Sequence, residues 1–154
     1  MYKRQDFSSD KVDAGDIGAG HTVTALYEIV PAGSKGWLEP LRHQASAQPA
    51  SKSGELAWLR IRYKAPGEAS SRLLERPIAR GEAKPVAAAS EDLRFAAAVA
   101  AFAQQLKGGR YTGDFDLAQS IELARSAKGE DRFGLRGEFI QLAEIAQSLS
   151  LIHI

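Results

Sequence analysis

The hydrophobic pattern of this chain changes its period near residue 88, and that change restricts the possible folds more than any other feature of the sequence. Before residue 88, apolar and polar side chains alternate with the repeat of two residues that is typical of strands. After it, apolar side chains recur every three or four residues, as they do in amphipathic helices. Strands followed by helices predict a fold of the α+β class.

Three segments of the first half have a strand pattern. Residues 21–30 and 55–64 alternate clearly, whereas residues 71–78 form a weaker strand, in which Pro77 suits an edge or a strand end. The Pro- and Gly-containing segment 65–70 predicts a turn, so that the second and third strands form an antiparallel hairpin. The expected product is a short antiparallel sheet.

A sheet of three strands is thin, and Trp58 and Tyr63 are expected to lie in its core. Either the helices cover this sheet, or missing N-terminal strands from a longer protein complete a β-sandwich, because a small sheet needs a covering layer or more strands. We favour the second arrangement. Residues 31–54 are rich in Gly, Ser, Ala, Pro and Gln, and we interpret them as a surface loop that is mobile near its end.

Each of three helical segments in the second half follows a residue that can cap a helix. The segments are residues 91–106, 117–127 and 132–148, and the capping residues are Ser90, Asp114 or Asp116, and Asp131. In the third segment the side chains expected to face the core are Phe133, Phe139, Ile140, Ala143 and Ala146. Short turns that contain glycine join the three segments, which predicts a three-helix bundle.

Composition excludes several classes of function. The net charge of +1 falls to −1 without Lys3 and Arg4 (18 basic minus 19 acidic residues), and no basic patch indicates nucleic-acid binding. The chain has no cysteine, so it contains neither disulfides nor thiolate metal sites. The longest apolar run, residues 95–103, is too short to cross a bilayer.

The two ends of the chain fit one short DNA element read in opposite orientations. A string that encodes residues 149–154 has a reverse complement that encodes residues 1–5 when it is read from a GTG start codon. This element resembles the adaptor used in transposon-based library preparation. We therefore interpret residues 1–5 and 149–154 as translated adaptor sequence, and residues 6–148 as a piece of a longer polypeptide.

A glycine-rich loop with three aspartates precedes the first predicted strand. Asp10, Asp13 and Asp16, with His21 after them, are weak candidates for a metal site, because clustered carboxylates can bind calcium. Their spacing differs from that of an EF-hand. We favour a tight loop in which aspartate side chains bind backbone amides and the glycines adopt positive φ.

Trp37 is a weak candidate for binding a partner. It lies in the variable loop between Gly36 and Leu38, where an exposed tryptophan could anchor another protein. The alternative is local packing against its own loop, and we favour that interpretation.

Several segments together resemble one bacterial family, the domain of unknown function found C-terminal to the von Willebrand factor type A domain. The segments are residues 10–28, 59–67, 95–102, 113–115, 123–129 and 136–139. The resemblance implies that residues 6–88 and 89–148 are the β-rich and helical parts of one C-terminal module. It also implies that an N-terminal segment and a type A domain precede this module in a bacterial protein that is often exported to the cell envelope or lipid-anchored. The family has no established activity, and no catalytic residue can be carried over from it.

Three hypotheses for function follow. The first is a non-catalytic binding or scaffolding module that docks on its own upstream type A domain and binds an unknown protein partner. The second is a metal-dependent hydrolase that uses Asp13, Asp16, His21 and Glu28 around a metal ion. The third is an adhesion domain stabilised by calcium bound to the loop from Asp10 to His21. We favour the first hypothesis, which requires no cofactor.

Overall fold

A computed structural model gives the structure of Phe7, residues 15–31 and residues 54–152, without the side chains of residues 150–152. The chain divides into two compact units. The sheet unit comprises Met1–Val23 and Ile29–Ala83, and the helical unit comprises Thr24–Glu28 and Lys84–Ile154. The order of strands followed by helices confirms the prediction of an α+β fold.

The sheet is an antiparallel hairpin of β1 (Glu55–Tyr63) and β2 (Arg72–Ala79). Both strands were predicted, and so was the turn between them, in which the Glu68 amide donates to the Ala65 carbonyl oxygen at 3.0 Å. Gly67 in this turn has a φ of 79°, which favours glycine over other residues. The hairpin is therefore specified by local sequence.

The prediction that Trp58 and Tyr63 lie in a core is wrong. Their exposed fractions are 49% and 47%, and those of Ile61, Leu73 and Leu74 are 46%, 45% and 48%. In the register of the ladder, Ile61 lies opposite Leu74, and Tyr63 lies opposite Arg72. Alternation shows which side chains share a face of the sheet but not whether another layer covers that face. Within the described residues, neither face of the hairpin is covered deeply enough to bury these side chains.

The predicted strand at residues 21–30 forms no ladder with another strand among the described residues. These residues form neither helix nor strand, and all of them are exposed, including Val23 at 72% and Tyr27 at 78%. A strand is stabilised by hydrogen bonds that it exchanges with a neighbouring backbone, and an alternating sequence pattern does not show whether that neighbour is present. The sheet accordingly has two strands among the described residues, and its completion into a sandwich stays a prediction.

The three predicted helices are α1 (Glu91–Leu106), α2 (Leu117–Ser126) and α3 (Leu135–Ile152). Two short 3-10 turns, Arg80–Glu82 and Val86–Ala88, precede α1. Ser90 caps α1 by accepting a hydrogen bond from the Leu93 amide at 3.3 Å. Of the two candidates for the cap of α2, the structure selects Asp116, which exchanges two 2.8 Å hydrogen bonds with Gln119. Among the described residues, no helix has both the length and the apolar character that a membrane span requires.

The core of the helical unit consists mainly of small side chains. Its buried apolar residues are Ala98, Ile121, Ala124, Ala127, Ile140 and Ala143. Phe139 lies beside this core and makes edge-on contacts with Phe95 and Phe102, at centroid distances of 5.5 and 5.4 Å. The expectation that Phe133 faces the core is wrong, because this side chain is 79% exposed. It lies in the loop before α3, which begins at Leu135 rather than at residue 132.

Candidate functional site

The loop between α2 and α3 is organised by the carboxylate of Asp131. One oxygen accepts a hydrogen bond from the Arg136 amide at 3.0 Å, and the other accepts one from the Gly137 amide at 2.8 Å. The hydrogen bond from Arg136 is the main reason that the pKa of Asp131 lies below its ordinary value. Asp131 therefore caps α3 as predicted, although it does so from a backbone φ of 44° that is uncommon outside glycine, Asn and Asp.

The side chain of Arg136 joins the beginnings of two helices and the end of a third. Its guanidinium forms an ion pair with Asp92 in the first turn of α1. It also donates to the carbonyl oxygens of Ala127 and Lys128, just after α2, at 3.2 and 3.4 Å. The guanidinium carbon lies 4.8 Å from the centroid of the Phe95 ring, within the range of a cation–π contact.

A cleft of about 420 Å³ opens beside this arginine, between the start of α1 and the loop before α3. Its lining residues are Glu91, Asp92, Gly129, Glu130, Asp131, Arg132, Phe133, Leu135 and Arg136. No Ser, Thr, Cys or His lies among these described residues, so this lining contains no hydroxyl or thiol nucleophile and no imidazole base, and its ionisable groups are carboxylates and guanidinium groups. Asp131 binds two backbone amides of α3, and Arg136 binds Asp92 of α1 and two carbonyl oxygens after α2, so both residues hold the walls of the cleft together.

Gly129 lies where this loop comes close to the Glu91 side chain of α1. Its φ is 61°, and a Cβ placed on it would lie 2.8 Å from Oε2 of Glu91. A side chain at this position would therefore meet both an unfavourable backbone conformation and a neighbouring carboxylate. The backbone conformation is the main requirement for glycine here, because the Glu91 carboxylate is the end of a flexible side chain and can move.

A second polar group, near the start of α2, is buried and hydrogen-bonded. Ser120 is 1% exposed, and its hydroxyl donates to Oε1 of Gln105 at 2.9 Å and approaches the Asp116 carbonyl oxygen at 3.1 Å. The Gln105 amide in turn donates to the Phe115 carbonyl oxygen at 2.6 Å. These bonds hold the connection between α1 and α2, and they leave the Ser120 hydroxyl engaged within the protein rather than exposed to a substrate.

The predicted metal and partner residues lie mostly outside this region. Asp10, Asp13 and Trp37 fall outside the described residues. Asp16 and His21 are exposed, and the His21 amide donates to the Gly18 carbonyl oxygen at 3.1 Å in a tight turn. Among the described residues, no group of three or more acidic, His or Cys side chains is arranged to hold a metal ion. The turn at Gly18 agrees with the interpretation of this segment as a tight, glycine-dependent loop.

Sequence reasoning missed the Arg136–Asp92 contact. Arg136 lies in one of the segments that carry the family resemblance, but no pattern paired it with a residue of α1. A signal does exist nearby, because Gly129 and Asp131 mark a turn whose next helix begins within a few residues. That signal places Arg136 in the first turn of α3 but cannot say which helix its side chain reaches.

Comparison with known proteins gives this chain a family. The family described as "Uncharacterized protein YfbK, C-terminal" matches residues 1–149. The chain is 43% identical over 148 residues to the uncharacterized protein YfbK of Escherichia coli (strain K12), a match that covers 95% of this chain and 25% of that relative. It thus spans about a quarter of the relative's length, and no solved structure matches it. The match over nearly the whole chain shows that it belongs to the YfbK C-terminal family.

Proposed function

We propose that this chain is a non-catalytic docking module, the C-terminal accessory part of a longer bacterial protein that contains a von Willebrand factor type A domain. The module packs on the region that precedes it and mediates protein–protein interaction. The match to the E. coli relative supports a longer parent protein, because this chain covers only 25% of the relative's length. The type A domain, and a parent protein that is exported or lipid-anchored, come from the resemblance of the sequence segments described above.

The incompletely covered hairpin carries this proposal. Five large apolar side chains of β1 and β2 are each 45–49% exposed: Trp58, Ile61, Tyr63, Leu73 and Leu74. The register places Ile61, Tyr63 and Leu74 on one face of the hairpin, and Trp58 and Leu73 on the other. Full burial of one such side chain contributes about 1.5–3 kcal/mol, so that burying the remaining half of the first three would contribute roughly 2–4 kcal/mol, and burying that of the other two roughly 1.5–3 kcal/mol. A neighbour that covers both faces therefore gains an amount near the lower end of the net stability of a domain. An isolated two-stranded hairpin is marginal in water, and a docked neighbour removes this weakness.

Charged side chains beside these apolar ones fit the rim of an interface. Arg60 pairs with Glu75 across the ladder at 2.8 Å, and Arg76 pairs with Glu82 at 2.6 Å. All four side chains are at least 40% exposed, so their pairing adds little stability to the chain itself. Around an apolar patch, such charges favour one orientation and partner over others.

The proposal gives the chain no catalytic role because the two charged groups that organise the cleft, Asp131 and Arg136, already have structural partners. Asp131 binds two backbone amides, and Arg136 binds Asp92 and two carbonyl oxygens. A general acid or base needs a group that is free to exchange a proton with substrate. The pKa of Asp131 is lowered by the backbone amides that its carboxylate caps. A carboxylate with a lowered pKa is a weaker base, which suits a helix cap better than a general base.

The test compares Trp58 in this chain with Trp58 in the full-length polypeptide from the same gene. Trp37 is replaced by phenylalanine in both proteins, and any tryptophan elsewhere in the parent is replaced likewise, so that Trp58 is the reporter of acrylamide quenching. We expect quenching of Trp58 to be several-fold weaker in the full-length protein, because the preceding region covers the hairpin. Equal quenching in the two proteins would contradict the proposed docking.

A matched pair of variants tests whether the apolar face is responsible. Leu73→Arg places a charge at a position that is 45% exposed on the same face as Trp58, and Glu75→Leu removes one two residues along the same strand, on the same face. In the full-length protein, Leu73→Arg should restore quenching of Trp58, whereas Glu75→Leu should leave it weak. Recovery with both variants would indicate general unfolding of the hairpin, which circular dichroism of this chain would detect.

A further inference from the structure

Helix α3 carries a second apolar stripe in addition to its core side. Ile140 and Ala143 point into the core of the helical unit. Leu135, Leu142 and Ile145 are 66%, 59% and 56% exposed. These three and the exposed Glu138 between them form the outer stripe of α3. Isolated exposed leucines are ordinary, but several of them in line along one helix indicate a binding surface.

The spacing of the outer stripe indicates what kind of element covers it. Leu135, Glu138, Leu142 and Ile145 are separated by three, four and three residues, the spacing of the contact positions in a coiled coil. Side chains at this spacing follow one line along the helix and accept the side chains of a second helix that crosses at about 20°. A β-strand presents side chains with a period of two and does not match this line. The spacing therefore favours a helix.

The size of the outer stripe distinguishes an attached partner from a free one. Leu149 continues the spacing, but it belongs to the six residues that we interpret as adaptor sequence and is left out. The stripe is then about 15 Å long and 10–12 Å wide, at about 1.5 Å of rise per residue. Such a patch is far smaller than the roughly 800 Å² that each partner buries in a stable complex. A segment of the same polypeptide binds through a small patch because its tether supplies a millimolar effective concentration.

Glu138 restricts the charge that a partner helix can carry opposite it. An acidic residue in the first turn of α3 stabilises the helix by interacting with the helix dipole. This interaction accounts for Glu138 but not for the apolar side chains around it. In a parallel pair of identical α3 helices the two Glu138 carboxylates would face each other, which disfavours a second copy in that orientation. A helix with Lys or Arg at the matching position would instead form an ion pair within an apolar surround.

We infer that the outer stripe of α3 binds an amphipathic helix from the part of the same polypeptide that lies outside this sequence, with a Lys or Arg opposite Glu138. The relative that matches this chain over 25% of its length has three quarters of its length (100 − 25 = 75%) outside the match, which is ample for such a helix. The inference rests on the proposed function, because it assigns a surface and a partner element to the same docking.

The experiment measures the accessibility of single engineered thiols, which is direct because this chain has no cysteine of its own. Leu142→Cys reports on the stripe, and Gln141→Cys is its matched control, exposed and turned about 100° away around the helix. Any cysteine elsewhere in the parent is replaced by serine. Maleimide labelling of each variant is followed by mass spectrometry of the α3 peptide, in this chain and in the full-length polypeptide.

We expect the two variants to label at similar rates in this chain. In the full-length protein, the thiol of the Leu142→Cys variant should label at least tenfold more slowly than that of the Gln141→Cys variant. Adding Glu138→Lys to the Leu142→Cys variant should then restore fast labelling, because the lysine would face the cation of the bound helix.

Each other outcome overturns the inference. Equal labelling of the two variants in the full-length protein means that no element covers the stripe. Protection of the Leu142→Cys thiol in this chain that grows with protein concentration means that a second copy covers it. If the Leu142→Cys thiol stays protected after Glu138→Lys is added, the covering element carries no matching cation.

The quenching of Trp58 separates failure of this inference from failure of the proposed function. If Trp58 is protected in the full-length protein while the Leu142→Cys thiol stays accessible, docking stands and only the outer stripe is excluded. If neither position is protected, both proposals fail.

Discussion

The guanidinium of Arg136 forms an ion pair with the carboxylate of Asp92, 44 residues earlier in the chain, and so fixes the start of α3 beside the start of α1. The same side chain donates to two carbonyl oxygens just after α2, those of Ala127 and Lys128. One residue thereby connects all three helices near one end of the helical unit. Because only 29% of the arginine side chain is exposed, its hydrogen bonds compete less with water than those of a surface arginine.

Replacing Arg136 with methionine tests this connection. Methionine keeps an unbranched apolar stem beside Phe95 but removes the donors to Asp92 and to the two carbonyl oxygens. We expect the free energy of unfolding to fall by about 1–2 kcal/mol through loss of the hydrogen bonds to the two carbonyl oxygens, because the ion pair adds little when 86% of the Asp92 side chain is exposed. Urea unfolding of the helices, followed by circular dichroism, measures it. Arg132→Met is the matched control, since Arg132 is exposed beside the same cleft and should change stability by less than about 0.5 kcal/mol. Similar losses for the two variants would show that Arg136 has no special role.

Gly129→Ala should destabilise the helical unit through the backbone of its loop. The φ of 61° is unfavourable for alanine, and the added Cβ would lie 2.8 Å from Oε2 of Glu91. The carboxylate is the end of a flexible side chain and can move, so the backbone conformation should account for most of a loss of about 1–2 kcal/mol. The double variant Gly129→Ala/Glu91→Ala separates the two causes, because it removes the clash alone. Gly81→Ala, where no neighbouring atom lies within 4 Å, is the control that should be nearly neutral.

Asp131 should make the stability of the helical unit sensitive to acid. Hydrogen bonds from the amides of Arg136 and Gly137 lower its pKa in the folded state below the ordinary value of 3.8. A group whose pKa is lower when folded stabilises the fold above its unfolded pKa, and that contribution is lost as the pH falls through the folded pKa. Asp131→Asn should therefore be less stable than the wild type at pH 7, and the difference should shrink below about pH 4.

Asparagine suits this test because it also tolerates positive φ and retains one acceptor, so the change mainly removes the charge. Urea midpoints at pH 7 and pH 3 provide the comparison. Asp114→Asn, at an exposed position before α2, is the control and should leave the urea midpoint close to that of the wild type. A constant difference between Asp131→Asn and the wild type across this range would contradict the role of the charge.

Larger side chains at the centre of the helical core should be costly. Ala98 is 0% exposed, as is Ala124, and the two belong to the same buried cluster. Ala98→Leu inserts three carbon atoms where the helices already approach closely, and overpacking of this kind costs about 1–3 kcal/mol. Ala103→Leu is the matched control, because this alanine is exposed on the same helix and leucine has nearly the same helix propensity. Thermal unfolding of the two variants should differ by several degrees, and equal melting temperatures would mean that the core can expand without loss.

The parts of the fold that depend on local sequence were predicted, and those that depend on distant neighbours were not. Ser90, Asp116 and the turn with Gly67 act within a few residues of themselves, and the structure confirms all three. Whether Trp58 is buried depends on what lies over the hairpin, and the pattern of the strand holds no information on that. The same reasoning explains residues 21–30, whose alternation is real but whose pairing partner is not among the described residues.

In the candidate site, too, the local contact was predicted and the distant one was not. The sequence indicated that Asp131 would cap α3, because a cap acts on amides a few residues further along. It gave no indication that Arg136 would reach Asp92, since that contact requires α1 and α3 to start side by side. The clustering of Asp10, Asp13 and Asp16 suggested a metal site, but their spacing differs from the order of ligands that calcium loops require.

Calcium is expected to leave the thermal stability of this chain unchanged. A ligand that binds the folded state raises the melting temperature in proportion to the logarithm of its concentration over its dissociation constant. Asp16 and His21 are exposed, and the described residues bring no third acidic or histidine side chain to them to form a site. Melting curves with EDTA and with about a hundred-fold excess of calcium over a micromolar dissociation constant would reveal a gain of roughly 2.7 kcal/mol if such a site existed. A rise that disappears in the Asp13→Asn/Asp16→Asn variant, but persists in a Glu130→Gln control, would replace the docking module with a calcium-stabilised loop as the first hypothesis for function.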